Sequence, residues 1–226
     1  MKRLLTLLLA AIAFAAVPLS AASQSLTTLY SAGNNQSGNM FDLQATKAIK
    51  ITSFDLHMSN AGSTNTVSVY WRAGSANGAE SSSAGWNRLG TATVVSRGQG
   101  VATPLPIGGL VLQAGQTYGI YIINENGPAY LLYTDGSNVF SNGDLALTTW
   151  FGKGLPLFTG PTFSPRQWNG TVYYGAPFTT CAAEGYRGGQ LTMCQKICES
   201  NLTGSALSGM VKLYVAAYRE QPACAR

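Results

Sequence analysis

Residues 49–58, IKITSFDLHM, end in a strict alternation of apolar and polar side chains. Phe54, Leu56 and Met58 fall on one face of an extended chain, and the polar residues between them, His57 included, fall on the other. A period of two is typical of a β-strand with one buried face and one face in water. We therefore predict a strand here, with His57 exposed to solvent.

The same kind of pattern continues from residue 25 to residue 174. Short β-rich runs are separated by segments rich in Gly, Ser and Asn, which are typical of surface turns. The run Tyr118–Ile123 is apolar on both faces, which indicates a central strand. Many short strands with no helical periodicity between them predict a mainly β fold, an antiparallel sandwich or jelly roll of about ten strands. The predicted strands are Leu26–Tyr30, Asn39–Leu43, Ile49–Met58, Thr66–Arg72, Trp86–Val95, Gly109–Leu112, Thr117–Asn124, Ala129–Thr134, Asp144–Trp150 and Gly170–Tyr174.

The pattern changes near Pro177. From Gly189 to Ser200, and again from Ser205 to Glu220, apolar residues recur at intervals of three and four, which predicts two amphipathic helices. A turn containing Gly204 separates the helices. The sequence therefore predicts three parts: a signal peptide (residues 1–22), a β-sandwich domain (23–176) and a small helical hairpin (177–226).

All four cysteines, Cys181, Cys194, Cys198 and Cys224, lie in this tail. An even number in an exported chain indicates two disulfides, and a unit this small needs such a supplement to its core. The alternative is a four-thiolate zinc site, but the paired C-x2-C spacing of such sites is absent. Antiparallel helices favour Cys194–Cys224 with Cys181–Cys198, although spacing leaves all three connectivities open.

The N-terminus has the three parts of a secretory signal: Lys2 and Arg3, an apolar run Leu4–Val17, and small residues up to Ala22. The run of about 14 residues is short for a membrane anchor, which needs roughly 20. An uncleaved anchor is the alternative. We predict cleavage after Ala22 and a secreted or periplasmic protein with no integral membrane segment thereafter.

Charge argues against a nucleic-acid ligand. Charged residues make up only 10% of the chain, against a usual value of about 25%. The formal net charge falls from +5 to +3 when Lys2 and Arg3 are removed with the signal, and the remaining basic residues are scattered. Nucleic-acid binding requires clustered Lys and Arg.

Three motifs carry a family resemblance: residues 110–121 (LVLQAGQTYGIY), 163–174 (FSPRQWNGTVYY) and 86–90 (WNRLG). Together they resemble a β-sandwich module of bacterial secreted and surface proteins, over roughly residues 26–174. The segment 181–224 is similar to a short Cys-rich tail of exoproteins from Gram-negative bacteria. The resemblance implies the fold and the compartment, and it assigns no catalytic activity, ligand or site residue.

Few residues qualify for catalysis. The chain has one histidine, and no nucleophile elbow, H-E-x-x-H helix or phosphate-binding loop occurs. A polysaccharide hydrolase would need two facing carboxylates among the nine Asp and Glu residues, and no motif marks such a pair. We therefore predict a protein that is not an enzyme and has no cofactor, with the hydrolase as an alternative.

Two kinds of binding site remain. Aromatic rings bury apolar surface and can also stack on sugar rings. Trp86 and Trp168, flanked by loop residues, are the candidate ligand-binding residues; the other candidates for a stacking platform are Trp71, Trp150, Tyr130, Tyr133, Tyr173 and Tyr174. Core packing is the alternative for each ring.

Asp135, Asn138 and Asp144 are candidates for a calcium site, because they place oxygen ligands on glycine-containing turns. Ordinary hairpin turns use the same residues, and we favour the turn. The leading functional prediction is a non-enzymatic binding or structural module whose partner is an extracellular glycan. The alternative is a protein-interaction, assembly or export element that acts through the C-terminal hairpin on another surface protein.

Overall fold

A computed structural model describes residues 24–177, 181, 184–198 and 204–223. The chain is mainly β, with two C-terminal helices, α1 Gly188–Cys198 and α2 Gly204–Tyr218. The strands are β1 Gln24–Thr27, β2 Asn34–Gln36, β3 Gly38–Ala45, β4 Ile49–His57, β5 Thr64–Ala73, β6 Asn87–Val95, β7 Ala102–Leu105, β8 Val111–Leu112, β9 Thr117–Asn126, β10 Leu131–Asp135, β11 Val139–Ser141, β12 Leu145–Lys153, β13 Thr162–Phe163, β14 Arg166–Trp168 and β15 Gly170–Gly175.

The strands form three antiparallel sheets. The large sheet has the order β11-β12-β3-β9-β5-β6, with β13 added beside β12. The five-stranded sheet has the order β1-β15-β4-β7, with β8 also paired to β4, and a three-stranded sheet has the order β14-β10-β2. As the run Tyr118–Ile123 predicted, β9 is a central strand, paired with β3 on one side and β5 on the other.

The main core lies between the large and five-stranded sheets. Phe41, Val69 and Ile120 of the large sheet and Phe54 and Val172 of the five-stranded sheet belong to one buried apolar cluster. Side chains from two facing sheets interlock in this way in a sandwich. The predicted mainly β fold, an antiparallel sandwich with a helical tail, is confirmed.

The outer face of the large sheet is buried as well. Tyr70 and Tyr121 project from β5 and β9 into a second apolar cluster. Two loops, residues 74–86 and 154–161, supply Ala76, Trp86 and Phe158 to that cluster. The large sheet is therefore covered on both faces, and the two loops are fixed against it.

His57 is buried, with 1% of its surface exposed, so the prediction of an exposed histidine is wrong. The segment before β7 covers the end of β4, and the Gly100 N–H donates a hydrogen bond of 2.6 Å to His57 Nε2. Alternation within one strand does not reveal a loop that folds over its polar face.

The tail has its own small core, in which the cysteines take part. Cys181 forms a disulfide with Cys194, and Cys198 is also disulfide-bonded. The preferred pairing of Cys181 with Cys198 and of Cys194 with Cys224 is therefore wrong. Cys194 and Cys198 share one face of α1, with their Sγ atoms 3.8 Å apart, so antiparallel helices alone cannot select between them.

The predicted signal peptide and Cys224 lie outside the described residues. Within the described part of the chain, no helix is both long and apolar enough to cross a membrane.

Candidate functional site

Trp168 offers no surface to a ligand. Its ring is 1% exposed and lies in the main core. It stacks on Phe41 with 4.5 Å between ring centroids, and meets Phe54 edge to face. The loop-like flanks of Trp168 form a short strand, β14, that directs the indole between the sheets. The prediction that Trp168 binds a ligand is therefore wrong, and the core-packing alternative holds.

Trp86 is half-buried and fastens the loop 74–86 to the outer face of the large sheet. Its ring packs near Tyr121 and Phe158, and its Nε1–H donates to the Ala79 carbonyl at 3.1 Å. The Arg72 guanidinium lies 5.9 Å from the ring centroid, a cation–π contact. These contacts assign Trp86 a packing role, with only part of its ring exposed.

The calcium candidates each have a protein partner. Asp135 is ion-paired with Arg166, with 3.1 Å between its Oδ1 and Nε. Asp144 is ion-paired with Lys47 at 2.7 Å. Asn138 Oδ1 accepts the N–H of the next residue, as in an ordinary turn. Among His, Cys, Asp and Glu of the described residues, the only group of three with metal-ligating atoms close together is Cys181, Cys194 and Cys198.

A polar cleft of about 260 Å³ lies at one end of the large sheet. β3 begins at this end, and β9 and β12 finish there, because both pair antiparallel with β3. The cleft is lined by Ser37, by residues 124–130 and by Leu155. None of the tryptophans lines it.

Tyr130 is the exposed aromatic residue of the cleft, with 48% of its surface accessible. Its backbone is fixed on both sides by one residue: the Tyr130 N–H donates to Ser59 Oγ at 2.9 Å, and the Ser59 N–H donates to the Tyr130 carbonyl at 3.0 Å. The ring is therefore presented to solvent from an ordered backbone. Such preorganisation lowers the entropy cost of binding.

Buried amides hold the rest of this loop. Asn65 Oδ1 accepts the Ala129 N–H at 3.0 Å and the Asn124 Nδ2–H at 3.1 Å. Asn124 Nδ2 also donates to the Ala129 carbonyl at 2.7 Å. Gly127 has φ +128°, and a Cβ there would lie 2.4 Å from Asn65 Oδ1. Because the loop depends on this close approach, residue 127 must be glycine.

Glu125 is the one carboxylate among the residues that line the cleft. The Tyr70 hydroxyl donates to Glu125 Oε1 at 2.9 Å, which orients the carboxylate. Burial raises the pKa of Tyr70, and Glu125 raises it further, while Arg88 acts on it in the opposite direction. The phenol therefore stays protonated at neutral pH and remains a donor to Glu125.

Leu155, which is 45% exposed, is an apolar residue that also lines the cleft. The loop that carries it is fixed by Phe158, buried against Tyr70 and Tyr121, and by Lys153. Lys153 is fully buried, and its Nζ donates to the Gly160 carbonyl at 2.9 Å and to Thr162 Oγ1 at 2.5 Å. Burial lowers the pKa of Lys153.

Asn124, one of the residues that line the cleft, has a buried polar atom with no hydrogen-bond partner in the described part of the chain. Asn124 is 3% exposed, and both of its hydrogen bonds from Nδ2 stay within the protein, while its Oδ1 accepts none. Buried acceptors are normally paired. The sequence carries a signal for this feature, because Asn124 follows the apolar run Tyr118–Ile123 directly.

The comparisons with known proteins give no family. No family model matches the chain, and no curated protein matches it. Similar solved structures include the VP2 subviral particle of infectious bursal disease virus, at 13% identity and a TM-score of 0.21, covering 70% of this chain and 36% of that one. Structures from the Gt and Gx strains of the same virus have 13% and 12% identity and TM-scores of 0.19 and 0.21. They cover 70% and 87% of this chain, and 36% and 53% of theirs.

This chain thus spans between a third and about half of the length of the viral chains it matches. Likenesses with TM-scores this low carry no argument about fold or function. The assignment of a function therefore depends on the chemistry of the cleft.

Proposed function

We propose that this protein is a secreted, non-enzymatic glycan-binding module, and that the cleft beside Tyr130 is its binding site. The observation that carries the proposal is the exposed Tyr130 ring, held on a rigid loop next to polar groups. An aromatic face packs against the C–H face of a pyranose, while neighbouring polar groups bond the hydroxyls. Tyr130 belongs to the set of aromatic residues that the sequence indicated as a stacking platform.

The dimensions of the cleft support a small ligand unit. Small-molecule pockets are typically about 300–1,000 Å³, and the volume here, about 260 Å³, lies just below that range. Such a cleft accommodates one sugar unit, with the rest of a polysaccharide extending into solvent. A single shallow subsite gives weak affinity per site, as is usual for modules that bind long polymers at many points.

The lining of the cleft supports binding rather than hydrolysis. Glycoside hydrolysis requires two carboxyl groups roughly 5–9.5 Å apart across the scissile bond. Glu125 is the only carboxylate among the lining residues. Binding without turnover is therefore the simpler role for this site.

The disulfide supports an extracytoplasmic location. The Cys181–Cys194 bond is consistent with an oxidising compartment. Together with the predicted signal peptide, it favours a protein of the periplasm or the extracellular space, where polysaccharides of the cell surface and matrix are the available glycans.

The test is a broad glycan array probed with the mature chain, residues 23–226, and with Tyr130→Ala. We expect at least one class of glycan to bind and the variant to weaken that binding about tenfold, which corresponds to ~1.4 kcal/mol of lost stacking. Tyr130→Phe should retain most of the affinity because it keeps the ring. Val139→Ala, which trims an exposed apolar side chain of β11, is the matched control and should change nothing. Absence of any hit, or binding that survives Tyr130→Ala, contradicts the proposal.

A further inference from the structure

The charge of the cleft is opposite to that of the whole chain. The protein has a formal net charge of +5, or +3 without the signal residues Lys2 and Arg3. The cleft, however, is lined by one carboxylate, Glu125, and by no Lys, Arg or His. A negatively charged cleft on a positively charged protein favours a ligand that places a positively charged group in that cleft.

Glu125 has capacity for a further partner. The Tyr70 hydroxyl occupies Oε1, and Arg88 interacts with that same hydroxyl. Within the described part of the chain, no cation lies within 4.0 Å of Glu125 as an ion pair. Asp135 and Asp144, by contrast, each have a cationic partner. Glu125 is thus a fixed carboxylate that a ligand cation can approach.

The neighbouring groups also favour a cation. The face of the Tyr130 ring is electron-rich and attracts cations within about 6 Å of its centroid. Glu125 and Tyr130 both line the cleft. A carboxylate and an aromatic ring therefore border one small volume.

We infer that the cleft selects glycans that carry a free ammonium group, that is, 2-amino-2-deoxy sugars that are not N-acetylated. The ammonium lies between the Glu125 carboxylate and the Tyr130 ring, and the pyranose ring stacks on the exposed part of Tyr130. This inference rests on the proposed glycan-binding function and narrows its ligand class. Uronic acids and sulfated sugars are disfavoured because Glu125 repels them.

The positive net charge makes the inference specific. The positive net charge of the protein repels a polycationic glycan. A preference for the ammonium form must therefore originate in the cleft itself. A charge-assisted hydrogen bond is markedly stronger than a neutral one, and N-acetylation removes both the charge and two N–H donors. We therefore expect at least a tenfold preference for the free amine.

The experiment compares a glucosamine oligomer with its N-acetylated form of equal length, titrated calorimetrically into the mature chain at neutral pH. The free-amine form should bind at least tenfold more tightly. Glu125→Gln should abolish that preference while it keeps an oxygen to accept the Tyr70 hydroxyl, so the loop remains intact. The matched control is Asp55→Asn, because Asp55 accepts the Tyr173 hydroxyl at 2.8 Å in an equivalent carboxylate–phenol pair on another strand. It should leave the preference unchanged.

The outcomes separate the two levels of the proposal. Equal binding of both oligomers, weakened by Tyr130→Ala, overturns the ammonium inference and retains glycan binding. A preference for the amine that survives Glu125→Gln also overturns the inference. Binding of neither oligomer, together with an array without hits, overturns the proposed function itself. A preference lost in Glu125→Gln and kept in Asp55→Asn supports the inference.

Discussion

The β-sandwich and the helical tail are stabilised in different ways. In the described part of the chain, 25 buried residues form the main core of the sandwich, and they come from strands far apart in sequence. The core of the tail has seven buried residues, and three of them are Cys181, Cys194 and Cys198. Packed apolar area stabilises the sandwich, whereas the tail depends on covalent bonds, as small domains commonly do. Substitutions that affect one unit should therefore leave the other folded.

Trp168→Ala should produce the largest effect, because it removes the largest fully buried side chain of the sandwich. Large-to-small substitutions of buried aromatics cost about 3–5 kcal/mol. Denaturant unfolding followed by far-UV circular dichroism should show this loss, while peptide mapping should still find the Cys181–Cys194 bond. Trp86→Ala is the matched control, and its cost should be smaller because the ring is half-exposed. A loss below about 1 kcal/mol for Trp168→Ala would contradict the assigned core position.

The second-largest effect should follow from replacing Cys181 and Cys194 together with serine. The two residues are separated by 13 positions, and closure of a loop of roughly 15 residues contributes about 3 kcal/mol. Hydrogen exchange measured by mass spectrometry should show α1 and α2 losing protection while β9 keeps it. Equal loss of protection in β9 would show that the two units are not stabilised independently.

The sequence predicted the long elements of both units. The ten strands expected from alternation all occur, and both helices begin within a residue of the expected position. The five strands that were missed, β2, β7, β11, β13 and β14, have two to four residues. A segment this short contains at most two alternations, so its pairing is determined by the neighbouring strands rather than by its own pattern.

The site was less predictable, for a related reason. Sequence shows that a residue is aromatic, but not whether a loop covers it. Trp168 has loop-like neighbours and is buried between sheets, whereas Tyr130 follows the turn of residues 127–129 and is exposed. The polar network that presents Tyr130 joins Asn65 to Asn124 and Ala129, which are about 60 residues away along the chain. Contacts of this range become visible only when the sheet register is known.

The smallest expected effect is a dependence of sandwich stability on pH that the tail does not share. His57 is the only histidine of the chain. Burial lowers its pKa from the usual 6.5, with the Asn169 side chain acting in the opposite direction. Its Nε2 accepts the Gly100 N–H. Protonation of Nε2 would break that hydrogen bond, because the imidazolium N–H and the Gly100 N–H would then point at each other.

Because the folded pKa of His57 lies below the unfolded value, the unfolded chain binds more protons just below pH 6.5. The contribution of His57 is therefore fully present above pH 6.5 and is lost as the pH falls towards the folded pKa, by at most about 1.4 kcal/mol per pH unit. Carboxylates titrate in the same experiment, so His57→Gln serves as the reference. The difference in unfolding free energy between wild type and His57→Gln should shrink between pH 7 and pH 5. A difference that stays constant over this range would mean that His57 titrates equally in both states, and that the covering segment near Gly100 opens to water.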